Sequence, residues 1–304
     1  MGTNQEAKQY TREELIEKTA KFRSMTEKTV LKRVAKMGRA GKELYLETEA
    51  GRVRVLGYRL DEEERLPLFV NLHGGGFILG NPEMDDEYMP RVAEEAGVKI
   101  LNVDYGLAPE YPFPKGIEDV YAAVKYAQGH ADEFGIDPDR IAIGGHSAGG
   151  NFSAAVCLMN AERKELNIKC AILDYPPLDI YTDAKDKPPG RGLMARIFMG
   201  PKRTRMFDAS YCLDREARKN PLVSPVYAGQ EQLKTFPPTL ILTAGMDSLC
   251  REGEQFRDLL IQAGVDVTHK RFENSPHGFT LSDKPDAREG WTMMIEHLKR
   301  WLYS

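Results

Sequence analysis

A serine enclosed by glycines is the feature of this chain that most directly indicates chemistry. The pentapeptide Gly145-His146-Ser147-Ala148-Gly149 follows a short apolar run over 140–144 and precedes a helical pattern that starts at Ala148. A sharp strand-to-helix turn needs glycines where the two elements approach, and it exposes the central side chain at the top of a sheet. The spacing therefore predicts a nucleophile elbow with Ser147 as the nucleophile.

A serine hydroxyl needs a base to take its proton, and the base needs a carboxylate to hold it in one tautomer. His277 lies in a loop between the last predicted strand and the C-terminal helix, where the last strand ends beside the elbow. His146 adjoins the serine, but neighbouring residues at an elbow point in different directions, so His277 is the favoured base. The remaining candidates, which we interpret as surface residues, are His130, His269 and His297.

The carboxylate is expected in a loop after another late strand. Asp247 follows the predicted strand over 239–243 and precedes His277, so the chain order is serine, acid, histidine, as in α/β hydrolases. Asp174 also follows a predicted strand and is the second candidate. Position relative to the other two residues favours Asp247.

Attack by the serine would place negative charge on the acyl oxygen, and preorganised N–H groups must meet that charge. The run His73-Gly74-Gly75-Gly76-Phe77 lies just beyond an apolar strand and offers unobstructed backbone amides. Together with Ala148, the residue after the nucleophile, Gly74, Gly75 and Gly76 are the candidate oxyanion hole. A triple glycine could also bind phosphate, but no Gly-Lys-Ser/Thr sequence follows it. We expect His73 to brace this loop.

The elements that must position these groups alternate along the chain. Strands are predicted over 44–47, 53–58, 68–72, 99–103, 140–144, 170–173, 239–243 and 267–272, and several of the later ones are short, continuous apolar runs. Helical patterns over 117–127, 151–161, 252–263 and 287–302 lie between or after them. This alternation predicts an α/β protein, with an eight-stranded, mostly parallel sheet and helices on both faces.

Two segments depart from the alternation and predict a helical cap. Residues 11–37 open with a capping-box pattern and read as one or two amphipathic helices, and the segment 176–225 carries apolar residues that suggest two short helices. Segments this long are usually functional or contain helices of their own. We expect residues 1–40 and 176–225 to cover a catalytic core of 41–175 and 226–304; the alternative for 176–225 is a surface insertion.

Met and Phe in the cap indicate an apolar, adaptable substrate pocket. We expect it to be lined by Phe77, His146, Met194, Phe198, Phe207 and Phe279. The cations Lys202, Arg203 and Arg205 are interpreted as a solvated face of the cap.

Composition excludes several classes of protein. The chain has 304 residues, a net charge of −4 and no basic run with interleaved aromatics, so a nucleic-acid partner is not expected. Its four cysteines are scattered and predict reduced thiols, two of them in core elements. No signal-peptide pattern and no run of about 18 apolar residues is present, so we expect a cytoplasmic location without a membrane association. No metal and no cofactor are expected.

With these residues in place, the chain resembles the hormone-sensitive lipase family of α/β hydrolases over about 67–279. The motifs that carry the resemblance are His73-Gly74-Gly75-Gly76-Phe77, Asp104-Tyr105-Gly106-Leu107-Ala108-Pro109-Glu110, Gly145-His146-Ser147-Ala148-Gly149-Gly150, Asp247-Ser248-Leu249 and His277-Gly278-Phe279. The resemblance implies Ser147 as nucleophile, Asp247 as acid and His277 as base, with the amides of Gly75, Gly76 and Ala148 in the oxyanion hole. It also implies an α/β-hydrolase fold with a cap built from N-terminal helices and an insertion after the sixth strand.

Three positions depart from the family pattern. His146 stands where the family usually has Asp, Gly106 where it usually has Arg, and Ser248 where it often has Pro. None removes a triad group. His146 changes the electrostatics near the serine, and Gly106 is expected to lose an ion pair that braces its loop.

The resemblance implies a carboxylesterase, acetylesterase-like, that acts on small acyl esters through an acyl-enzyme, with acyl groups from acetyl to about hexanoyl, and a homodimer by family habit. An amide or formamide hydrolase with the same triad is an alternative. A second alternative is a non-catalytic small-molecule receptor like the plant gibberellin receptor, which has lost its catalytic histidine; the presence of His277 disfavours it.

Overall fold

In the computed structural model, which describes residues 10–192 and 199–304, eight strands form a single sheet. They are β1 Lys42–Thr48, β2 Gly51–Tyr58, β3 Leu66–Leu72, β4 Lys99–Asp104, β5 Ile136–His146, β6 Ile168–Asp174, β7 Thr239–Ala244 and β8 Val267–Phe272. Their order is β1-β2-β4-β3-β5-β6-β7-β8; β2 is antiparallel to β1 and β4, and all other pairs are parallel. The predicted α/β fold with a mostly parallel eight-stranded sheet is confirmed.

The helices of the described residues lie on both faces of this sheet and over its carboxyl edge. They are α1 Arg12–Met37, α2 Met89–Ala96, α3 Lys115–Gly129, α4 Ala131–Phe134, α5 Ala148–Arg163, α6 Pro201–Tyr211, α7 Gln230–Leu233, α8 Cys250–Gln262 and α9 Pro285–Leu302. Short 3₁₀ turns occupy Pro82–Met84, Glu216–Lys219, Pro225–Tyr227 and Phe279–Leu281. The helices predicted over 117–127, 151–161, 252–263 and 287–302 are all present, with boundaries that differ by a few residues.

Two apolar layers explain why the central strands are continuous runs of buried residues. On one face of the sheet the core includes Phe152 of α5 and Phe256 of α8, and on the other it includes Trp291 of α9 and Val92 of α2. All seven residues of β3 are buried, because a parallel strand with helices on both sides has no solvated face.

Helix α1 is one long helix, and its start matches the predicted capping box. The Thr11 hydroxyl accepts the Glu14 N–H at 3.2 Å, and the Glu14 carboxylate accepts the Thr11 N–H at 3.1 Å. Leu15 of α1 then packs with Met206 and Ala209 of α6, together with Ile78 and Ala108 of the core. One of the two helices predicted in 176–225 is therefore α6; residues 193–198, on which the other falls, lie outside the described part of the chain.

Several single-residue predictions have clear outcomes. All four cysteines are buried and free, two more than expected in the core. His130 is exposed as predicted, but the surface interpretation of His297 is wrong, because α9 packs it against the sheet and burial lowers its pKa to about 4. His269 is half-buried, with Nε2 3.0 Å from the Thr243 hydroxyl.

Among the described residues, no helix is both long and apolar enough to cross a membrane.

Candidate active site

The turn between β5 and α5 holds Ser147 in a strained backbone conformation. β5 ends at His146 and α5 begins at Ala148, so a single residue reverses the chain. Ser147 has φ +52° and ψ −117°, which is rare for a residue with a side chain and is maintained only when its surroundings enforce it. Strain of this kind is expected at a nucleophile elbow.

The glycines on either side make the turn possible. A Cβ atom on Gly145 would lie 2.4 Å from the Leu72 carbonyl oxygen, and one on Gly149 would lie 2.1 Å from the same atom. Both distances are below any real contact. The predicted requirement for glycine therefore has a concrete cause, the approach of α5 to the end of β3.

Ser147, His277 and Asp247 converge at the carboxyl edge of the sheet. His277 Nε2 lies 2.9 Å from Ser147 Oγ, and His277 Nδ1 lies 2.5 Å from Asp247 Oδ2. Because a carboxylate only accepts, the Nδ1 proton faces Asp247 and Nε2 is left to accept the serine proton. This is the arrangement that general-base activation of a serine requires.

Each residue of the triad follows a strand at the carboxyl edge of the sheet. Asp247 follows β7, where its other carboxylate oxygen accepts the Leu249 N–H at 3.2 Å. His277 follows β8, and this loop lies against the Asp247 loop through a backbone bond from the Met246 N–H to the Ser275 carbonyl of 3.1 Å. The chain order and the strand order thus bring together residues separated by 130 positions.

Burial and charge act in opposite directions on His277. Burial disfavours the charged imidazolium, but the carboxylates of Asp247, Asp174 and Glu252, with Asp247 contributing most, together outweigh it and raise the pKa of His277 above the ordinary histidine value. The neutral ring is a base strengthened for proton acceptance from Ser147.

The predicted oxyanion loop lies directly beside the elbow. A Cβ built on Gly74 would contact the Ser147 Cβ at 3.5 Å, and Gly75 has φ +141°, where a side chain would also collide with the Leu79 carbonyl. In the described part of the chain, no backbone hydrogen bond of a turn or loop uses the N–H of Gly75 or Gly76. These amides are therefore free to meet a developing oxyanion.

An aromatic group supports the oxyanion loop from below. His73 is fully buried, its ring stacks on Tyr105 at 4.2 Å, and its carbonyl accepts the Tyr105 hydroxyl at 2.6 Å. Burial lowers the pKa of His73, so the ring is neutral. His73 has the bracing position expected of it, and Tyr105 belongs to a motif singled out in the sequence without an assigned role.

The N-terminal helix holds the same loop from above, which sequence reasoning did not anticipate. Arg23 donates Nε to the Ile78 carbonyl at 2.7 Å and forms an ion pair with Glu110 at 2.7 Å. Arg12 donates to the Glu110 carbonyl at 3.0 Å. Two arginines of α1 therefore hold the segment that follows the triple glycine and the end of the Asp104–Glu110 motif. Their only signal in the sequence was their position on a helix predicted to belong to the cap.

The predicted pocket residues do not share one environment. Phe207 of α6 lies over the oxyanion loop, since a Cβ on Gly76 would meet its ring at 2.8 Å. Phe77 is buried in a stack with Tyr211 at 4.0 Å, and Phe279 packs on Tyr175 at 5.7 Å.

Phe77 and Phe279 were predicted to line the substrate pocket, and the structure corrects this prediction. Both side chains point into the core and are buried there. His146 is likewise buried, beneath the elbow against Trp291 at 5.2 Å, and is not a pocket residue. Met194 and Phe198 lie outside the described residues.

Asp174, the second candidate for the acid, has a different partner. Its Oδ2 lies 2.7 Å from His146 Nδ1 and accepts the Thr280 hydroxyl at 2.6 Å. Neither bond involves His277. The structure thus groups Asp174 with His146 rather than with the base.

The structure also shows the surroundings of Gly106 and of the three cations at 202, 203 and 205. Asp119 accepts the Gly106 N–H at 3.0 Å and pairs with Lys115, so a backbone bond supports this loop without an arginine at 106. In the segment predicted to form a cap, Lys202 is exposed as expected, but Arg205 pairs with Asp183 at 2.8 Å and Arg203 lies over the Phe22 ring at 5.0 Å. Both arginines are half-buried rather than fully solvated, because α6 turns them toward neighbouring segments.

Comparison with known proteins identifies relatives that are similar to this chain in sequence and in fold. A family model described as alpha/beta hydrolase fold matches residues 69–281. The carboxylic ester hydrolase LipN of Mycobacterium tuberculosis is 35% identical over 78% of this chain and 63% of its own length. An arylesterase of Saccharolobus solfataricus is 32% identical over 78% of this chain and 75% of its own.

A solved esterase of Pyrobaculum calidifontis is 31% identical, with a TM-score of 0.80 over 93% of both chains. The chain spans less than two thirds of LipN and of an AB hydrolase superfamily protein of Schizosaccharomyces pombe, at 63% and 64%.

Proposed function

The chain belongs to the hormone-sensitive lipase family of α/β hydrolases, and we propose that it is a serine carboxylesterase that hydrolyses short-chain acyl esters through a covalent acyl-enzyme. The observation that carries the proposal is the continuous relay from Ser147 Oγ through His277 to Asp247, with spacings of 2.9 and 2.5 Å. Relatives at 31–35% identity whose names describe ester hydrolysis support it.

In the first half-reaction, Ser147 Oγ attacks the ester carbonyl carbon while its proton passes to His277 Nε2. Asp247 stabilises the resulting imidazolium and keeps the ring oriented. The carbonyl oxygen becomes an oxyanion facing the amides of Gly75, Gly76 and Ala148, whose fixed positions need no reorganisation. His277 then returns the proton to the alcohol oxygen, and the C–O bond breaks to leave an acyl-serine.

The second half-reaction uses the same groups on water. His277 takes a proton from the water, whose oxygen attacks the acyl carbon, and a second oxyanion forms in the same place. Collapse returns the proton to Ser147 and releases the acid. Every proton is passed by His277, so the scheme balances with water as the only co-reactant.

We propose further that residues 1–40 and 176–225 form a cap that limits the acyl pocket. Support comes from α6, which packs on α1 and places the Phe207 ring over Gly76. A ring so close to the oxyanion loop restricts room for the acyl chain, which favours acetyl to about hexanoyl groups.

The experiment is a panel of p-nitrophenyl esters of increasing acyl length with the matched p-nitroanilides, each run with wild type and Ser147→Ala. We expect the highest kcat/KM on short esters, little turnover of anilides and none above background in the variant. Faster anilide turnover would favour the amidase alternative, and a maximum at long acyl chains would refute the short-chain assignment. Absent turnover with a ligand bound under the cap would favour a receptor.

Two coarser proposals accompany this one. Four buried free thiols support a reducing, cytoplasmic compartment. A homodimer is supported by the family resemblance alone, and light scattering of the purified protein decides it. Monomer at all concentrations would reject it.

A further inference from the structure

A second imidazole–carboxylate pair lies behind the nucleophile, formed by His146 and Asp174. The two residues end adjacent parallel strands and are direct register partners in β5 and β6. Both are buried, with His146 2% and Asp174 0% exposed, and His146 Nδ1 is 2.7 Å from Asp174 Oδ2.

The main chain of Asp174 also holds the nucleophile. Its carbonyl accepts the Ser147 N–H at 2.8 Å, which fixes the strained residue at the point where the strand ends. The side chain of His146 and the backbone of Ser147 are therefore tied to the same residue on β6. Movement of the end of β6 would displace the elbow.

The same carboxylate reaches the loop of the base. Asp174 Oδ2 accepts the Thr280 hydroxyl at 2.6 Å, and Thr280 follows His277 by three positions on the 3₁₀ turn Phe279–Leu281. Tyr175, the residue that follows β6, hydrogen-bonds Thr280 at 3.1 Å and packs its ring edge-on against the His277 ring at 4.9 Å. Two consecutive residues at the end of β6 thus contact both the elbow and the loop of the base.

We propose that Asp174, with His146 and Thr280, is a positioning unit that sets Ser147 and His277 at reaction distance. The proposal rests on the proposed function, because it assigns these residues a role in the same proton transfer. Asp174 touches no reacting atom and acts through the elbow and the base loop.

The unit has features that core stability alone does not require. In the described part of the chain, His146 Nε2 and Asp174 Oδ1 are buried without a hydrogen-bond partner, and such atoms are costly. Apolar residues of similar volume often serve stability better than a buried ionisable pair. The presence of two ionisable groups directly behind the nucleophile is explained if they orient it.

Charge gives the unit a second effect on the base. The charged groups that face His277 are Asp247 on the loop after β7, Asp174 on β6 and Glu252 on α8, and all raise its pKa. For the pair itself, burial raises the pKa of Asp174, while Asp85 and Asp174 outweigh burial and raise the pKa of His146.

The test compares Asp174→Asn and the near-isosteric Thr280→Val with two controls. Thr280→Ser keeps the hydroxyl, and Asp86→Asn removes a buried carboxylate that accepts the Tyr58 hydroxyl at 2.8 Å, remote from the triad in its hydrogen bonding. Each variant is measured for kcat and KM on p-nitrophenyl butyrate across pH, and for thermal unfolding.

We expect Asp174→Asn and Thr280→Val to lower kcat by about tenfold to a hundredfold with KM little changed, because misplacement of reacting groups is costly. Asp174→Asn should also move the acid limb of kcat/KM to lower pH, since a negative charge facing His277 is lost. Thr280→Ser should restore most of kcat, and Asp86→Asn should affect unfolding only. Wild-type kcat and pH profile in both test variants, or losses matched by Asp86→Asn, would overturn the proposal.

A readout independent of turnover separates this proposal from the proposed function. The low-field NMR resonance of the His277 Nδ1 proton reports the bond to Asp247. We expect it to shift or broaden in Asp174→Asn and Thr280→Val and to persist in Thr280→Ser. An inactive wild type would reject the esterase alone, whereas an unchanged resonance in both test variants would reject the positioning unit.

Discussion

Replacement of Asp247 by Asn is the change whose effect follows most directly from the geometry. Asp247 Oδ2 is 2.5 Å from His277 Nδ1 and the carboxylate is buried, so this bond decides where the ring carries its proton. An amide nitrogen at this place donates rather than accepts. The neutral ring would then carry its proton on Nε2, facing Ser147, and could not take the serine proton.

The expected loss is large because both orientation and charge are removed. A wrong tautomer with otherwise intact geometry lowers kcat by about 10⁴-fold, which corresponds to about 5 kcal/mol of transition-state stabilisation. The protein should still fold, because Asn fills the same volume and its side-chain oxygen can still accept the Leu249 N–H.

The assay is kcat/KM on p-nitrophenyl acetate at pH 8, with thermal unfolding measured on the same samples. Asp266→Asn is a matched control, since Asp266 is exposed and its one ion pair among the described residues is with Arg300 at a long 3.5 Å. A loss of less than about tenfold in Asp247→Asn, with normal unfolding, would refute the inference that Asp247 sets the tautomer of the base.

Three further outcomes follow from the same geometry. Because the pKa of His277 is raised and only its neutral form accepts a proton, kcat/KM should fall on acidification with a midpoint above the ordinary histidine pKa of about 6.5; a lower midpoint would contradict this. Ser147→Gly should unfold about 2 °C or more above Ser147→Ala, because glycine relieves the strain at φ +52°, and equal midpoints would show that no strain is stored. Arg23→Ala should lower kcat about tenfold by freeing the Ile78 carbonyl and the oxyanion loop, whereas exposed Lys21→Ala on the same helix should have no effect; equal rates in both would reject the clamp.

The sequence was sufficient for the residues whose local pattern carries their role. Gly145 and Gly149 flank a serine at a strand-to-helix boundary, and the physical reason for them, approach to Leu72, depends only on that turn. His277 and Asp247 were found by their places after the last two strands. Alternating elements likewise predicted the eight strands, and the central ones were the clearest, since buried parallel strands are continuous apolar runs.

Features that depend on how distant elements meet were not accessible in this way. The pairing of His146 with Asp174 follows from the register of β5 and β6. The register of two parallel strands joined by a helix cannot be predicted from the sequence of either strand. The Arg23 contact joins residues 55 positions apart through the packing of α1. His297 was misassigned because the buried face of α9 is set by what the helix packs against.

Pocket residues were the weakest prediction for the same reason. Phe77 and Phe279 are adjacent to motif residues, yet adjacent side chains face different surroundings, and both pack into the core. Phe207 reaches the oxyanion loop only because α6 folds back over it. Contact with substrate is decided by tertiary packing more than by proximity along the chain.

The central claim is that His277 activates Ser147 for attack on an acyl carbonyl. Its most direct measurement is intact-mass analysis after treatment with diethyl p-nitrophenyl phosphate, with peptide mapping of the adduct in wild type and in His277→Ala. The account predicts one diethylphosphoryl group on Ser147 in wild type and almost none in the variant over the same time. An unlabelled Ser147, or equal labelling without the imidazole, would contradict it.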